Sequence, residues 1–349
     1  MSANEPILPA QPPSHGEQVP PGETEAMAAI IAAIERQVTT QANTDGTARR
    51  DAHAKAHGTV QAEFRVLEDL PASLQAGIFA APRRFPALIR FSNGTGKIQA
   101  DLVPDGRGMA VKLLNVEQSP SSTQDFVMIN HSAFFVRDAA DYVEFSTAAP
   151  QTKFFVNLEH PRLHEAAVAA AIALHLPDNP LNSQYWSMTP YCFGDQACKF
   201  SARPAGMGSS HTSRLGHDYL HDNLARHLAE AGAEFDFMVQ LRTRPDKMPI
   251  EDPTITWSDD DSPFVPVARI TIPPQNFDSP DQRAFGEALS FTPWHAIAEH
   301  RPLGGINRVR RAVYEAISLY RHQFNRTARV EPTSLPPLGP AVPISAERS

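Results

Sequence analysis

The chain has 349 residues, with 31 Lys and Arg against 39 Asp and Glu, a net charge of −8, and 42% hydrophobic residues. That is a globular composition, long enough for a core burying roughly 75% of the surface its unfolded chain exposes, so disordered chains and small disulfide scaffolds are excluded. A net acidic chain without Lys/Arg clusters lacks the footprint for nucleic acid or an anionic membrane surface.

The N-terminal stretch has no basic start followed by an apolar core and reads as a Pro-rich tail rather than a secretory signal. Residues 1–22 and 331–349 share this Pro-rich, aperiodic composition and are expected to be disordered tails around a folded body at 23–330. A helix is expected from Glu23 or Thr24 through Gln41, where no proline interrupts good helix formers. Four β-type runs follow, Thr59–Leu67, Phe85–Asn93, Gly108–Val116 and Asp125–Val136, each bounded by turn residues. Their connections are too short for crossover helices, so antiparallel pairing in a barrel or strongly curled sheet is expected.

Helical patterns take over at Asp138–Ala148 and Leu163–Leu176. Strand-like runs return at Gly194–Pro204, Ala233–Thr243 and Pro266–Pro274, with a helix over His217–Gly232. The last element, Ile306–Asn325, reads as a long amphipathic helix. No apolar run approaches the roughly 20 residues that span a bilayer. Cys192 and Cys198 match neither a zinc nor a redox spacing and read as two buried thiols, which suits a reducing, cytoplasmic location.

Several motifs fall short of a chemical assignment. Ser92–Lys97 (SNGTGK) lacks the spacing of a phosphate loop and contains an Asn-Gly hairpin signal. His217 and His221 share a helix face but have no third ligand, and Asp259, Asp260 and Asp261 read as a solvated acidic loop. On the last helix, Arg310, Tyr314, Ile317 and Arg321 fall on one stripe, placing a guanidinium one turn before a phenol, which by itself reads as a basic outer face on a terminal helix.

Four segments in register, Arg50-Asp51-Ala52-His53-Ala54-Lys55, Arg90-Phe91-Ser92, Asp105–Lys112 and Asn130–Asp138, together with Leu289–His322, which contains Arg310-Arg311-Ala312-Val313-Tyr314, resemble the haem catalase superfamily. The family pattern reads R-x-x-H-A-K-G, R-F-S, R-D-P-R-G-F-A-V-K-F, N-N-T-P-x-F-F-x-R-D and R-x-x-x-Y. The match covers approximately residues 45–325 without the long wrapping and C-terminal helical regions of full-length catalases, so the chain looks like a small catalase-related, peroxidase-like member.

The resemblance implies an α+β fold built on an eight-stranded antiparallel β-barrel with flanking helices, with haem b and its iron as cofactor. It further implies Tyr314 as iron ligand backed by Arg310, His53 as distal acid–base group held by Ser92, Asn130 as peroxide-orienting donor, Arg50, Arg90 and Arg321 as propionate partners, and Phe134 or Phe135 as the apolar wall. His57 is a rival for the distal role because an extra His-Gly follows the H-A-K-A run, although the Arg three residues upstream favours His53. Ala52 stands where catalases carry Val and allene oxide synthases Thr, which suggests a more open pocket, and Pro104 replaces the first Arg of R-D-P-R-G.

The implied activity is reduction of hydrogen peroxide or an organic hydroperoxide through a ferryl intermediate, with a small-molecule electron donor and a possible homo-oligomer. Rearrangement of a fatty-acid hydroperoxide and a haem-binding barrel without turnover are the alternatives.

Overall fold

The computed structural model describes residues 14–156, 161–206, 208–209 and 211–338. A 23-residue helix, α1 (Glu23–Asp45), precedes the sheet. Strands β1 (Ala56–Val66), β2 (Arg84–Asn93), β3 (Arg107–Leu114) and β4 (Thr123–Ile129) then follow as an antiparallel meander. The fourth strand is shorter than its apolar run suggested. The ladder stops at Ile129, and the chain turns at His131, whose Nδ1 bonds the amide of Ala133 at 3.1 Å.

Helices α2 (Ala139–Thr147) and α3 (Leu163–Leu174) come next, followed by β5 (Tyr185–Trp186), β6 (Tyr191–Phe193) and β7 (Gln196–Ala205). The remaining elements are α4 (Tyr219–Glu230), β8 (Ala233–Leu241), β9 (Val265–Ile272), α5 (Pro280–Ala288) and α6 (Gly305–Asn325). The two-residue β5 pairs with β4 on one side and β7 on the other, and so closes β1, β2, β3, β4, β5, β7, β8 and β9 into an antiparallel eight-stranded barrel, with β6 as a hairpin arm on β7. Closure removes the exposed edges that an open sheet would present.

Strand alternation sorts the side chains by role. Phe64, Phe85, Ile89, Phe91, Met109, Val111, Phe126, Phe200 and Phe237 fill the barrel, with the Phe126 and Phe237 rings 4.6 Å apart between centroids. The residues between them, such as Arg90, Ser92, Gly108 and Ala110, face outward. There α1, α2 and α6 form a second core through Ile30, Ile34, Val38, Ala139, Val309, Val313 and Ile317. The space between that helical layer and the outer face of β2–β4 is where the site lies.

The described parts of both expected tails dock on the body. Glu17 is buried and accepts from Arg301 (2.7 Å), Arg308 (3.0 Å) and the amide of Gly304 (2.9 Å). Glu331 pairs with the buried Lys112 at 3.0 Å. Composition does not reveal this, because a single carboxylate meeting a buried cation anchors a segment that has no periodicity. The rest of the expected tails, residues 1–13 and 339–349, lies outside the described residues. Among the described residues no helix is long and apolar enough to cross a membrane.

Candidate active site

A cavity of about 540 Å³ lies against the outer face of β2, β3 and β4, under α1, α2 and α6, a size that encloses a cofactor or drug-sized molecule. Arg50, His53, Arg90, Ser92, Phe134, Phe135, Arg310, Tyr314 and Arg321 all line it. Residues more than 250 positions apart in sequence are thus brought to one space. The α6 stripe forms one side of it, because the 3.6-residue period carries Arg310, Tyr314, Ile317 and Arg321 along one helix face.

His53 sits in the loop before β1 with a left-handed backbone (φ 58°), a conformation uncommon for a residue with a Cβ and here held by three bonds. Its amide donates to Gly94 O (2.9 Å), its carbonyl accepts from Arg90 (2.9 Å), and its Nδ1 meets Ser92 Oγ at 3.0 Å. Gly108, opposite Ser92 in the ladder, makes room for the ring: a Cβ there would lie 2.6 Å from His53 Nδ1 and 2.9 Å from Ser92 Oγ. Burial, reinforced by the positive charge of Arg90, holds the imidazole down at about 4, so it is neutral at ordinary pH.

His57 lies elsewhere. It is fully buried outside the cavity, bonded through Nε2 to Asn93 Oδ1 at 2.9 Å, within a polar knot that includes the Lys55–Asp101 pair. Burial holds it down at about 3. Of the two histidines, only His53 reaches the cavity.

Asn130 is not brought together with the others. Its Oδ1 accepts from the Arg107 amide (2.7 Å) and its Nδ2 donates to Ile172 O (2.9 Å), so the side chain ties β3 to α3 and is absent from the cavity lining.

On the α6 side, Arg310 donates to Tyr314 Oη at 3.2 Å. Burial disfavours the guanidinium charge, but Tyr314 and Tyr191 outweigh it and raise its pKa. Along another edge, Arg50, Arg90 and Arg321 gather around one residue, Glu287. Glu287 pairs with Arg50 (2.6 Å) and Arg90 (3.4 Å), and its carbonyl accepts from Arg321 (2.8 Å). Burial works against the Glu287 charge, yet the three arginines hold it at about 2. Asp51, also in the lining, is pushed up to about 6 by burial. Guanidinium charge therefore exceeds carboxylate charge along this edge. Phe134 and Phe135 (centroids 4.7 Å apart) join Tyr142, Phe145, Ile172 and Met188 in an apolar wall, and Ala52 is also in the lining.

Sequence reasoning missed Glu287, Gly108 and Tyr142. Glu287 reads as an ordinary charge near a helix end, and nothing local marks its arginine partners. Gly108 was inside a quoted motif, but its role appears only once β2 and β3 are in register.

The barrel closed by eight antiparallel strands, with helices packed over its outer face, has the architecture of the catalases. The Catalase family profile matches residues 25–159. A catalase-related peroxidase from Mycolicibacterium paratuberculosis (strain ATCC BAA-968 / K-10) is 27% identical over 263 residues, covering 71% of this chain and 81% of that protein. Among solved structures, a fungal catalase superposes with a TM-score of 0.61 at 18% identity over 93% of this chain and 66% of that one. Catalase A from Saccharomyces cerevisiae gives 0.62 at 19% identity over 92% of this chain and 68% of that one. The chain thus spans about two thirds of the length of these solved catalases. Its fold is that of the catalases, and its sequence is similar to that family over residues 25–159.

Proposed function

We propose that this protein is a haem-dependent peroxidase that reduces hydrogen peroxide or an organic hydroperoxide at the expense of a small-molecule donor. One observation carries the reading: the His53–Ser92 pair and the Arg310–Tyr314 pair line the same cavity, and an arginine-rich edge joins them. The residues fit the cofactor. Arg50, Arg90 and Arg321 supply the excess positive charge that two propionates require, and Tyr314 offers an anionic oxygen ligand backed by Arg310. The aromatic wall suits a flat, apolar macrocycle.

Haem bound there supplies the redox chemistry. The chain's own residues do the rest. With Nδ1 engaged by Ser92, the Nε2 of His53 is the nitrogen available to substrate, and a neutral imidazole can take a proton from one peroxide oxygen and return it to the other. Arg90 fixes the His53 carbonyl and so the aim of the ring. The place of Ala52 in the lining, beside His53, leaves room for a substituted peroxide. The catalase-related peroxidase at 27% identity supports the peroxidase side of this reading.

The test is an absorption spectrum of the purified protein with haem, followed by peroxide with and without a reducing donor. Ferric high-spin, tyrosinate-ligated haem in the wild type, lost or altered in Tyr314→Phe, supports the assignment. An unchanged spectrum in that variant sinks it. Dehydration of a lipid hydroperoxide without net reduction would move the protein to the rearranging enzymes, and bound haem without peroxide consumption would leave a binding protein.

A further inference from the structure

Arg310 is a buried cation with no carboxylate in salt-bridge range among the described residues. An unpaired buried charge is costly, so its neutral partners must be well placed. One guanidinium nitrogen reaches Tyr314 Oη. The other donates to Asn307 Oδ1 at 3.1 Å and to Thr189 Oγ1 at 3.4 Å. The Asn307 side chain cannot swing. Its Nδ2 donates to Pro190 O (3.0 Å) and Leu303 O (2.9 Å), which fixes which way the amide points, and Thr189 Oγ1 donates to its Oδ1 at 3.1 Å. Asn307 and Thr189 are both essentially inaccessible.

Resting on the haem-peroxidase reading above, we infer that Asn307 is a positioning residue for the Arg310–Tyr314 pair: its clamped carbonyl oxygen anchors one arm of the guanidinium so that the other meets the phenol oxygen. Because the anchor is a neutral amide rather than a carboxylate, it holds Arg310 without cancelling its charge. The full positive charge then bears on Tyr314, drawing electron density from the oxygen that would ligate iron. The residue sits three positions before Arg310, so the α-helix itself sets their spacing.

The experiment uses the full chain loaded with ferric haem and reads the ferric–ferrous midpoint potential and the phenolate-to-iron charge-transfer band. Asn307→Leu removes the anchor while keeping the volume. It is expected to lower the potential and move the band to longer wavelength, because a phenolate less restrained by Arg310 donates more strongly. Arg310→Leu should shift both in the same direction and further. The double variant should match Arg310→Leu, since Asn307 acts through Arg310. Thr189→Val, an isosteric change at the second contact, should give a smaller shift of the same sign, and it stands as the test if Asn307→Leu does not fold.

Loss of thermal stability with an unmoved potential and band would make Asn307 merely structural and overturn the inference. A further shift on adding Asn307→Leu to Arg310→Leu would overturn it as well. Wild-type protein that takes up no haem, or takes it up without a tyrosinate signature, fails the underlying reading instead, and the inference falls with it.

Discussion

Gly108→Ala tests the His53–Ser92 arrangement without replacing any group proposed to react. The new Cβ would stand 2.6 Å from His53 Nδ1 and 2.7 Å from its Cε1, where ordinary van der Waals contact begins near 3.4 Å, so the ring must retreat by about 0.8 Å or β3 must shift. β3 is held on both sides by β2 and β4, which makes the ring the softer partner. Ser92 Oγ, 2.9 Å from the same point, would be displaced with it, and the 3.0 Å bond to Nδ1 would lengthen or break. Overpacking of this kind costs about 1–3 kcal/mol, and a lost hydrogen bond contributes about 1 kcal/mol of that order. A displacement near 1 Å of a proton-transferring group costs about 10²-fold in rate. Haem-loaded Gly108→Ala should therefore show peroxide-dependent donor oxidation reduced about 10²-fold, with haem content retained and a lowered melting temperature. Wild-type turnover in this variant would refute the reasoning, because it would mean that the His53–Ser92 contact does not set the rate.

His53→Ala should lower peroxide turnover about 10²-fold or more while keeping haem, and His57→Ala should act mainly on stability; the reverse ranking would transfer the acid–base role to His57. Glu17→Ala strips the shared carboxylate from Arg301 and Arg308 and should cost about 3 kcal/mol in a denaturant titration, the scale for breaking a buried pair; an unchanged midpoint would mean that the segment contributes nothing to stability. Burial holds His53 and His300 near 4 and His57 near 3, below the ordinary 6.5, so between those values the unfolded chain binds protons that the folded one does not. Stability should therefore fall as pH drops from about 6.5 to 4, with Asp51, held up near 6, working in the opposite sense; a melting temperature flat across that window would contradict the buried, neutral histidines.

Long elements with a strong period were legible in the sequence. Strands β1 to β3 and β7 to β9 and the helices α1, α2, α3, α4 and α6 all fall within a few residues of where alternation or helical spacing puts them, and β4 starts close to where expected but ends seven residues early, at Ile129. The elements that were missed are short or identified by caps rather than period. Two residues of β5 carry no periodicity, and β6 has only three. The helix α5 did announce itself, through a Ser279/Gln282 capping box and Pro280 at its first position, but its nine residues hold a single buried position, Gly286.

For the site, spacing alone gave the α6 stripe, and resemblance supplied the rest of the residue set. What neither could supply was the direction of an amide. Asn130 and Asn307 are both buried asparagines, and only their partners show that one ties strand to helix while the other faces Arg310. The choice between His53 and His57 likewise turned on partners: His53, in the loop before β1, meets Ser92 and lines the cavity, whereas His57 is taken up by Asn93.

The two residues of β5 have a consequence for how the molecule moves. Elsewhere neighbouring barrel strands pair along four or more residues, but here the ring is completed by Ile129 opposite Trp186 and by Tyr185 and Trp186 opposite Ala202 and Ser201. Opening free energies within a protein follow the local density of such pairings, so this seam is where hydrogen exchange should be fastest among the barrel strands. Directly after the seam come Met188, in the cavity wall, and Thr189, bonded to Asn307 and Arg310. Breathing at this joint is therefore expected to reach the Arg310 side of the cavity. A closed cylinder of eight strands, the most rigid-looking part of the fold, thus has its soft spot beside the residues whose placement matters most.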